Sequence, residues 1–292
     1  GDELKVAIKV TVRDEGTCTA TCNTNYANRI LVTSFAMEFP EQKLRNEPVV
    51  LSEFTAVELA KKIGQGQRLL GDFNSKSFPY PSPARAPEPY MTHSGADSEI
   101  PLQAKNFRAQ YVLSGVYRDF GFQGGWGGAS GRRIEIEAFL HDGVDGALLA
   151  RKSFSTVASG QVLLRGSPSV GSHAFYRSDI GKPWGKLLDN IARWTENQAA
   201  CLPFSARILR VEGARLHIDA GAEAGLTIGD TLKIHTWKQP PVTGLNGATL
   251  GMEKKIQATA TIRSVYPRFS VIEIENAPSG ISIREGDVIF TM

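Results

Sequence analysis

Two glutamates stand two residues apart in a segment that alternates polar and apolar residues. Glu135 and Glu137 therefore point to the same face of a predicted strand, because side chains alternate across a strand. A carboxylate pair is what acid–base hydrolysis of a glycosidic bond requires. Alternating charge on a solvent-facing strand explains the same pattern more simply. A carbohydrate- or peptidoglycan-acting enzyme is therefore the third hypothesis for this chain, and a cleft with a carboxylate of raised pKa would revive it.

The histidines and the glycine-rich segment do not match a catalytic or metal-binding motif. No metal site can be derived from the spacing of the five histidines, and His217 is predicted to lie on the surface. Residues 121–131 are rich in glycine, but the segment that follows resembles a strand and not the helix of a phosphate loop. We interpret them as a flexible hairpin tip. The sequence therefore predicts no catalytic residue, no cofactor and no metal ion.

Three cysteines are candidates for a disulfide. Cys18 and Cys22 bridge only if the chain between them turns back, because an extended chain separates their Cα atoms by about 13 Å. Pairing one of them with Cys201 would close a loop of about 180 residues and stabilise the fold by about 5 kcal/mol, against about 2 kcal/mol for the short loop. Three unpaired thiols are the alternative. A disulfide would indicate an oxidising compartment such as the periplasm.

Two tryptophans and one loop are candidate interface features. Trp126 lies within the glycine-rich tip, and Trp237 precedes a Lys-Gln-Pro-Pro segment. Aromatic side chains dominate the energetics of many interfaces. Packing of Trp126 over the sheet edge is the alternative interpretation. Residues 79–101 contain six prolines and are predicted to form a long surface loop.

Composition excludes two classes of partner. The 33 basic and 30 acidic residues give a net charge of +3, and basic residues do not cluster, which argues against nucleic acid. No apolar run approaches the roughly 20 residues that cross a bilayer, so a membrane-spanning protein is not expected.

Hydrophobic periodicity predicts an α/β domain over residues 26–201. The predicted order is strand 29–35, helix 53–63 capped by Ser52, strand 68–73 and strand 111–120, then a hairpin and a helix. In the hairpin, strands 132–140 and 147–157 flank Asp142-Gly143, and the final helix begins at Pro183. We expect a sandwich with its helices on one face. Residues 1–25 are interpreted as a strand and linker left from an upstream domain.

Residues 202–292 lack helical periodicity and predict a small all-β barrel. The candidate strands are 206–211, 215–219, 230–235, 257–266 and 270–275. Gly229-Asp230 and Gly286-Asp287 each precede a strand, where glycine supplies an unusual φ and aspartate accepts from local backbone donors. The fold class is thus α+β, an α/β sandwich followed by a small barrel.

Segments 29–35, 111–119 and 218–230 resemble the middle and C-terminal domains of the flagellar assembly protein T family. The resemblance covers most of residues 25–292. It implies a middle domain similar to the N-terminal domain of the translocation protein TolB and an SH3-like barrel after it. The family brings no catalytic residue with it.

The resemblance also implies a function. It indicates a non-catalytic periplasmic component of the flagellar basal body, in a ring associated with the outer-membrane rings, that helps assembly and stator retention. The implied partners are other basal-body or envelope proteins, with ring-forming self-association. A general cell-envelope assembly or lipoprotein-like binding module without a link to flagella is the alternative hypothesis.

Overall fold

The structure is a computed structural model of the 292-residue chain. It describes residues 26–42, 48–66, 68–75, 99–125, 128–160, 169–200, 202–237, 242–243, 245, 249–251, 253–275 and 282–291. We call the elements before residue 200 the sheet domain and those after residue 204 the barrel domain.

The sheet domain is built on a mixed seven-stranded sheet. Its strands are β1 (Asn28–Thr33), β2 (Ala36–Met37), β3 (Leu69–Asn74), β4 (Tyr111–Asp119), β5 (Phe122–Gly125), β6 (Gly128–Asp142) and β7 (Leu148–Ser159). β1 lies between β3 and β4 and is parallel to both, as its nearly continuous apolar sequence predicts. β4 also pairs antiparallel with β6, and β6 pairs antiparallel with β7.

Helices cover both faces of this sheet. They are α1 (Pro48–Ile63), α2 (Glu99–Asn106), α3 (His173–Arg177) and α4 (Gly181–Ala199). α1, α3 and α4 share one core with the face of β1 that carries Ile30. Leu31 points the other way and packs with Ile100 of α2. The expectation of helices on one face only is therefore wrong.

α2 was missed because its first turn contains Pro101, at the end of the proline-rich segment. Proline fits a first helical turn, where the backbone N–H has no partner inside the helix. The apolar side chains of Ile100 and Ala104, four residues apart, are buried against the sheet. The predicted surface loop therefore does not extend over residues 99–101, and its residues 79–98 lie outside the described part of the chain.

Three local predictions are corrected. Ser52 does not cap α1, which begins at Pro48; its hydroxyl donates instead to the carbonyl oxygen of Phe35. α4 begins at Gly181, with Pro183 in its first turn. In the hairpin after β6, Gly146 adopts the positive φ of 77°, and Gly143 does not. Asp142 and Asp145 accept hydrogen bonds from the backbone of Val144 and Ala147, which shapes a turn longer than two residues.

The glycine-rich segment forms a paired hairpin. β5 pairs with the start of β6, from Phe122 opposite Arg132 to Gly125 opposite Gly128. The prediction of a hairpin is confirmed, whereas the prediction of a flexible turn over all of residues 121–131 is wrong. The guanidinium of Arg132 lies over the rings of Phe120 and Phe122, at 4.3 and 4.4 Å, and contributes to holding the base of the hairpin.

The barrel domain is a closed barrel of six strands in the order β10-β13-β14-β9-β8-β15. In chain order the strands are β8 (Ser205–Glu212), β9 (Arg215–Ile218), β10 (Thr231–Trp237), β11 (Val242–Thr243), β12 (Thr249–Gly251), β13 (Lys254–Val265), β14 (Ser270–Glu275) and β15 (Val288–Phe290). β11 and β12 form a separate pair. The barrel has its own core, which includes Phe204, Leu216, Ile234 and Ile272.

The two Gly-Asp turns behave as predicted. Gly229 and Gly286 have φ angles of 96° and 91°, and each lies two residues before its strand begins, β10 or β15. Asp230 accepts a hydrogen bond from the backbone of Thr227 at 2.8 Å, and Asp287 accepts one from the backbone of Arg284 at 2.7 Å. The mixed α+β class with a small barrel is confirmed.

Candidate functional site

The two domains meet at the beginnings of β1 and β4. Asn28 accepts a hydrogen bond from the backbone N–H of Ser205 at 3.2 Å, and the hydroxyl of Tyr111 donates to the carbonyl oxygen of Pro203 at 3.1 Å. The backbone of Ala27 donates to the carbonyl oxygen of Ala224 at 2.9 Å. The first residues of both strands thus hold the linker and the barrel in one orientation.

A buried charge pair strengthens the junction. Arg207 of β8 donates from its backbone N–H to Asp219 Oδ1 at 2.7 Å and from Nη2 to the carbonyl oxygen of Gly143 at 2.9 Å. Its Nη1 lies 3.8 Å from Asp219 Oδ2. Burial raises the pKa of Asp219, and the nearby positive charge of Arg207 opposes that rise. Both groups are buried, and Arg207 also bonds to Gly143 of the sheet domain, so this pair contributes to holding the two domains together.

A crevice opens beside this pair, between the domains, and three arginines line it. Arg29 forms ion pairs with Glu223 at 3.2 Å and with Asp72 at 3.8 Å. Arg108 donates to the carbonyl oxygen of Arg268 at 3.3 Å. Burial lowers the pKa of Arg108, and the positive charges of Arg268 and Arg29 lower it further.

Arg108 occupies a strained backbone position. Its φ is 54°, and it is the one non-glycine residue with a positive φ in the described part of the chain. Its N–H bonds to the carbonyl oxygen of Lys105 at 3.1 Å, and the N–H of Ala109 bonds to that of Ala104 at 2.8 Å. These two bonds define a Schellman motif that ends α2, and its left-handed position normally carries glycine.

The loop between β13 and β14 forms the opposite wall of the crevice. The backbone N–H of Tyr266 donates to the carbonyl oxygen of Phe269 at 2.9 Å. Their rings stack with centroids 4.3 Å apart, and they remain 46% and 37% exposed. The carbonyl oxygen of Tyr266 accepts from the backbone of Ala222 at 2.9 Å. A Cβ on Gly221 would lie 2.1 Å from that oxygen, so only glycine permits this approach.

Glu135 and Glu137 each form an ion pair with an arginine. Arg118 contacts Glu137 at 2.5 Å and Glu38 at 3.1 Å. Arg133 contacts Glu135 at 2.8 Å. The shared face predicted for the two glutamates carries an ion-pair network.

Three carboxylates of raised pKa bear on the enzyme hypothesis. Burial raises the pKa of Asp219, Glu196 and Asp287. Asp219 lines the crevice, which is the situation that would revive the hypothesis, but it is only 6% exposed and bonds to Arg207. Asp287 belongs to a Gly-Asp turn. The other carboxylate that lines the crevice, Glu223, forms an ion pair with Arg29 at 3.2 Å.

The predicted disulfide and interface residues fall largely outside the described residues. Cys18, Cys22, Cys201 and Trp126 are among those outside, so their pairing and exposure stay predictions. The backbone of Trp237 forms the last residue of β10, opposite Lys254.

Two of the described histidines have structural surroundings. His217 lies 3.4 Å from Glu212 Oε2 and stacks on Phe269 at 6.4 Å, near the surface as predicted. His141 is fully buried, and its Nδ1 lies 3.2 Å from the carbonyl oxygen of Gly146. Within the described ranges, no group of three His, Cys, Asp or Glu side chains is arranged to hold a metal ion. None of the described helices is long and apolar enough to span a bilayer.

The crevice was not predicted from the sequence. Its arginines come from β1, from the end of α2 and from the β13–β14 loop, which are far apart in the chain. The sequence around Tyr266-Pro-Arg-Phe269 does carry a signal, because two aromatics flank a Pro-Arg turn between two strands. The unusual conformation of Arg108 leaves no such signal.

Comparison with solved structures gives only distant likenesses. A hypothetical protein from Chlamydia trachomatis is 14% identical, with a TM-score of 0.41, over 60% of this chain and 98% of that one. The PelC dodecamer from Paraburkholderia phytofirmans is 13% identical, with a TM-score of 0.32, over 56% and 86%. A lipoprotein from Neisseria meningitidis is 16% identical, with a TM-score of 0.28, over 59% and 98%. These scores are too low to support an argument about function.

Family models give a clear assignment. No curated protein sequence matches the chain. The model of the flagellar assembly protein T middle domain matches residues 20–165, and that of the C-terminal domain matches residues 213–291. The first match includes the whole seven-stranded sheet, and the second includes five of the six barrel strands. The two domains, and the order in which they occur, place the chain in the flagellar assembly protein T family.

Proposed function

We propose that this chain is a non-catalytic structural component of the bacterial flagellar basal body. It acts in the periplasm, in a ring associated with the outer-membrane rings, where it supports assembly and stator retention. The match of both domains to one flagellar assembly family carries this proposal. Its partners are other basal-body proteins and neighbouring copies of the chain.

A junction that fixes the relative position of two domains supports a structural role. A hydrogen bond that Asn28 accepts and two that Tyr111 and Arg207 donate join the sheet domain to the barrel domain and the residues just before it. Separation of the two domains would break each of these buried polar contacts, which costs free energy. We therefore expect the domains to keep one relative orientation, as a structural component requires. The pairing of Glu135 and Glu137 with arginines favours the same non-catalytic interpretation.

The periplasmic part of the proposal has its own test. We expect a disulfide between two of Cys18, Cys22 and Cys201, since oxidising compartments preserve such bonds. Intact-mass measurement and thiol titration of the non-reduced chain should then find one free thiol. Three free thiols would remove this support for the compartment.

The function is tested in the bacterium that encodes the chain. An in-frame deletion should abolish or strongly reduce swimming, and the wild-type gene supplied in trans should restore it. Fractionation of the complemented cells should recover the protein in the periplasm and with purified basal bodies. Normal swimming of the deletion strain together with an envelope-integrity defect would favour the general envelope-assembly hypothesis instead.

A further inference from the structure

The crevice between the domains has positive charge without an ion-pair partner. Arg29 is paired with Glu223 and Asp72, and Arg207 is occupied by Asp219. Arg108 and Arg268 form no ion pair with any residue that the structure describes, and Arg108 Nη1 lies 3.3 Å from the carbonyl oxygen of Arg268. Asp219 and Glu223 also line the crevice, but the positive charges of Arg268 and Arg29 act on Arg108 more strongly than these two carboxylates do. Two neighbouring guanidinium groups in a partly buried crevice repel each other, and an anion between them would relieve that repulsion.

The backbone of Arg108 indicates that its side chain is needed. The left-handed position at the end of α2 would be occupied with less strain by glycine. Strained residues of this kind persist where the surrounding structure holds them, and they cluster at binding sites. An arginine at this position lowers the stability of the helix end and places a long cationic side chain in the crevice.

The surface beside the arginines is apolar, aromatic and ordered. Tyr266 and Phe269 flank Arg268 in the β13–β14 loop, stacked and partly exposed. The carbonyl oxygens of Tyr266 and Pro267 accept hydrogen bonds from the backbone of Ala222 and Glu223, which fixes the loop against the barrel. Tyrosine and arginine are enriched among the residues that dominate protein–protein binding energies, and a preorganised loop loses little entropy on binding.

We propose that this surface, formed by Arg108, Arg268, Tyr266 and Phe269, binds a segment of a protein partner that carries a carboxylate next to an apolar or aromatic side chain. The carboxylate lies between the two guanidinium groups, and the neighbouring side chain packs on the stacked rings. Charge complementarity selects the acidic residue, because arginine binds carboxylates through parallel N–H···O bonds. The proposal rests on the proposed structural function, for which it names a docking site.

The test uses the whole chain, labelled with ¹⁵N, and two synthetic peptides. Acetyl-Phe-Asp-Leu-amide is the probe, and acetyl-Phe-Asn-Leu-amide is its uncharged control. We expect the acidic peptide to shift the amide resonances of residues 108, 266, 268 and 269. It should bind about tenfold more tightly than the control, since hydrogen bonds to charged groups are the stronger ones. Equal binding of the two peptides, no binding, or shifts that map elsewhere would overturn the proposal.

Variants separate binding from folding. Arg108→Gly should reduce the peptide affinity about tenfold and at the same time raise the melting temperature, since glycine relieves the backbone strain. Arg268→Gln should reduce affinity without that rise. Arg263→Gln is the matched control, because Arg263 is exposed and pairs with Glu273 away from the crevice. A lower melting temperature with unchanged affinity for Arg108→Gly would show that Arg108 is structural and would refute the site.

Two further arms distinguish other occupants. Inorganic phosphate that binds as tightly as the acidic peptide would indicate a small-anion site and refute a peptide site. The proposal takes the bound segment to belong to a different protein. Concentration-dependent self-association in sedimentation, abolished by Arg108→Gly, would instead make a second copy of the chain the occupant and overturn it. Failure of these binding tests leaves the swimming and fractionation results intact, so the two proposals fail separately.

Discussion

Arg207 of the barrel domain donates a hydrogen bond from Nη2 to the carbonyl oxygen of Gly143, at 2.9 Å, in the turn between two strands of the sheet domain. The same residue holds Asp219, whose side chain is almost completely buried. One arginine therefore neutralises a buried carboxylate and joins the two domains.

Replacement of Arg207 by methionine tests the importance of this contact. Asp219 would be left buried without its cation, which typically costs about 3–5 kcal/mol in the free energy of unfolding. We expect that loss in urea denaturation. The double variant Arg207→Met with Asp219→Asn should regain much of it, since asparagine carries no charge and keeps an acceptor for the backbone N–H of residue 207. A double variant no more stable than the single one would contradict the pair's role.

Two glycines of α4 should respond in opposite directions to alanine. A Cβ on Gly181 would lie 1.8 Å from the carbonyl oxygen of Phe175, whereas a Cβ on Gly185 would meet no atom within 4 Å. Gly181→Ala should therefore lower the free energy of unfolding by about 1–3 kcal/mol. Gly185→Ala should raise it by about 1 kcal/mol, the helix-propensity difference. Thermal or urea unfolding of the two variants measures both changes in the free energy of unfolding. Changes of the same sign in the two variants would contradict this prediction.

The hydroxyl of Tyr117 is the centre of a buried polar network. It accepts a hydrogen bond from Trp184 Nε1 at 2.9 Å and lies 2.5 Å from Thr55 Oγ1. Burial raises its pKa to about 12. Tyr117→Phe leaves the indole N–H of Trp184 buried without an acceptor, which should cost about 1–3 kcal/mol of stability.

Tyr266→Phe is the control for this change. Tyr266 is 46% exposed, so removal of its hydroxyl should alter the free energy of unfolding by no more than about 0.5 kcal/mol. Equal effects of the two substitutions would contradict the network.

His141 should make stability depend on pH. Burial lowers its pKa from 6.5 to about 4, and its Nδ1–H donates to the carbonyl oxygen of Gly146 in the neutral form. Below pH 6.5 the unfolded chain binds a proton that the folded chain does not. The stability that neutral His141 contributes is therefore complete above pH 6.5 and is lost as pH falls toward 4, by about 3 kcal/mol.

Comparison with His141→Gln isolates this contribution, since glutamine offers a donor but does not titrate in this range. The free energy of unfolding of the wild-type chain should fall more steeply between pH 6.5 and 4 than that of the variant. Parallel pH profiles would exclude His141 as the cause.

Much of the architecture followed from local patterns, and the exceptions have physical reasons. Continuous apolar runs predicted β1 and β4, and the Gly-Asp turns predicted where β10 and β15 begin. α2 was missed because proline, which breaks helix interiors, sits harmlessly in its first turn. Its position on the opposite face of the sheet follows from long-range packing, which periodicity does not encode.

The candidate site was largely hidden from sequence reasoning. Glu135 and Glu137 were correctly placed on one face, and Arg133 lies on the same strand two residues before Glu135. The partner of Glu137, Arg118, depends on how β4 and β6 pair. Arg268 joins Arg29 and Arg108 only when the barrel docks on the sheet domain. Arg108 is conspicuous only because of its backbone conformation, which no residue type announces.

Electron cryotomography of flagellar motors in the native bacterium tests the central claim most directly. Averaged motors of the deletion strain should lack a ring of periplasmic density near the outer-membrane rings, and complementation with the wild-type gene should restore it. Motors with unchanged ring density in the absence of the chain would contradict its role as a structural component of the basal body.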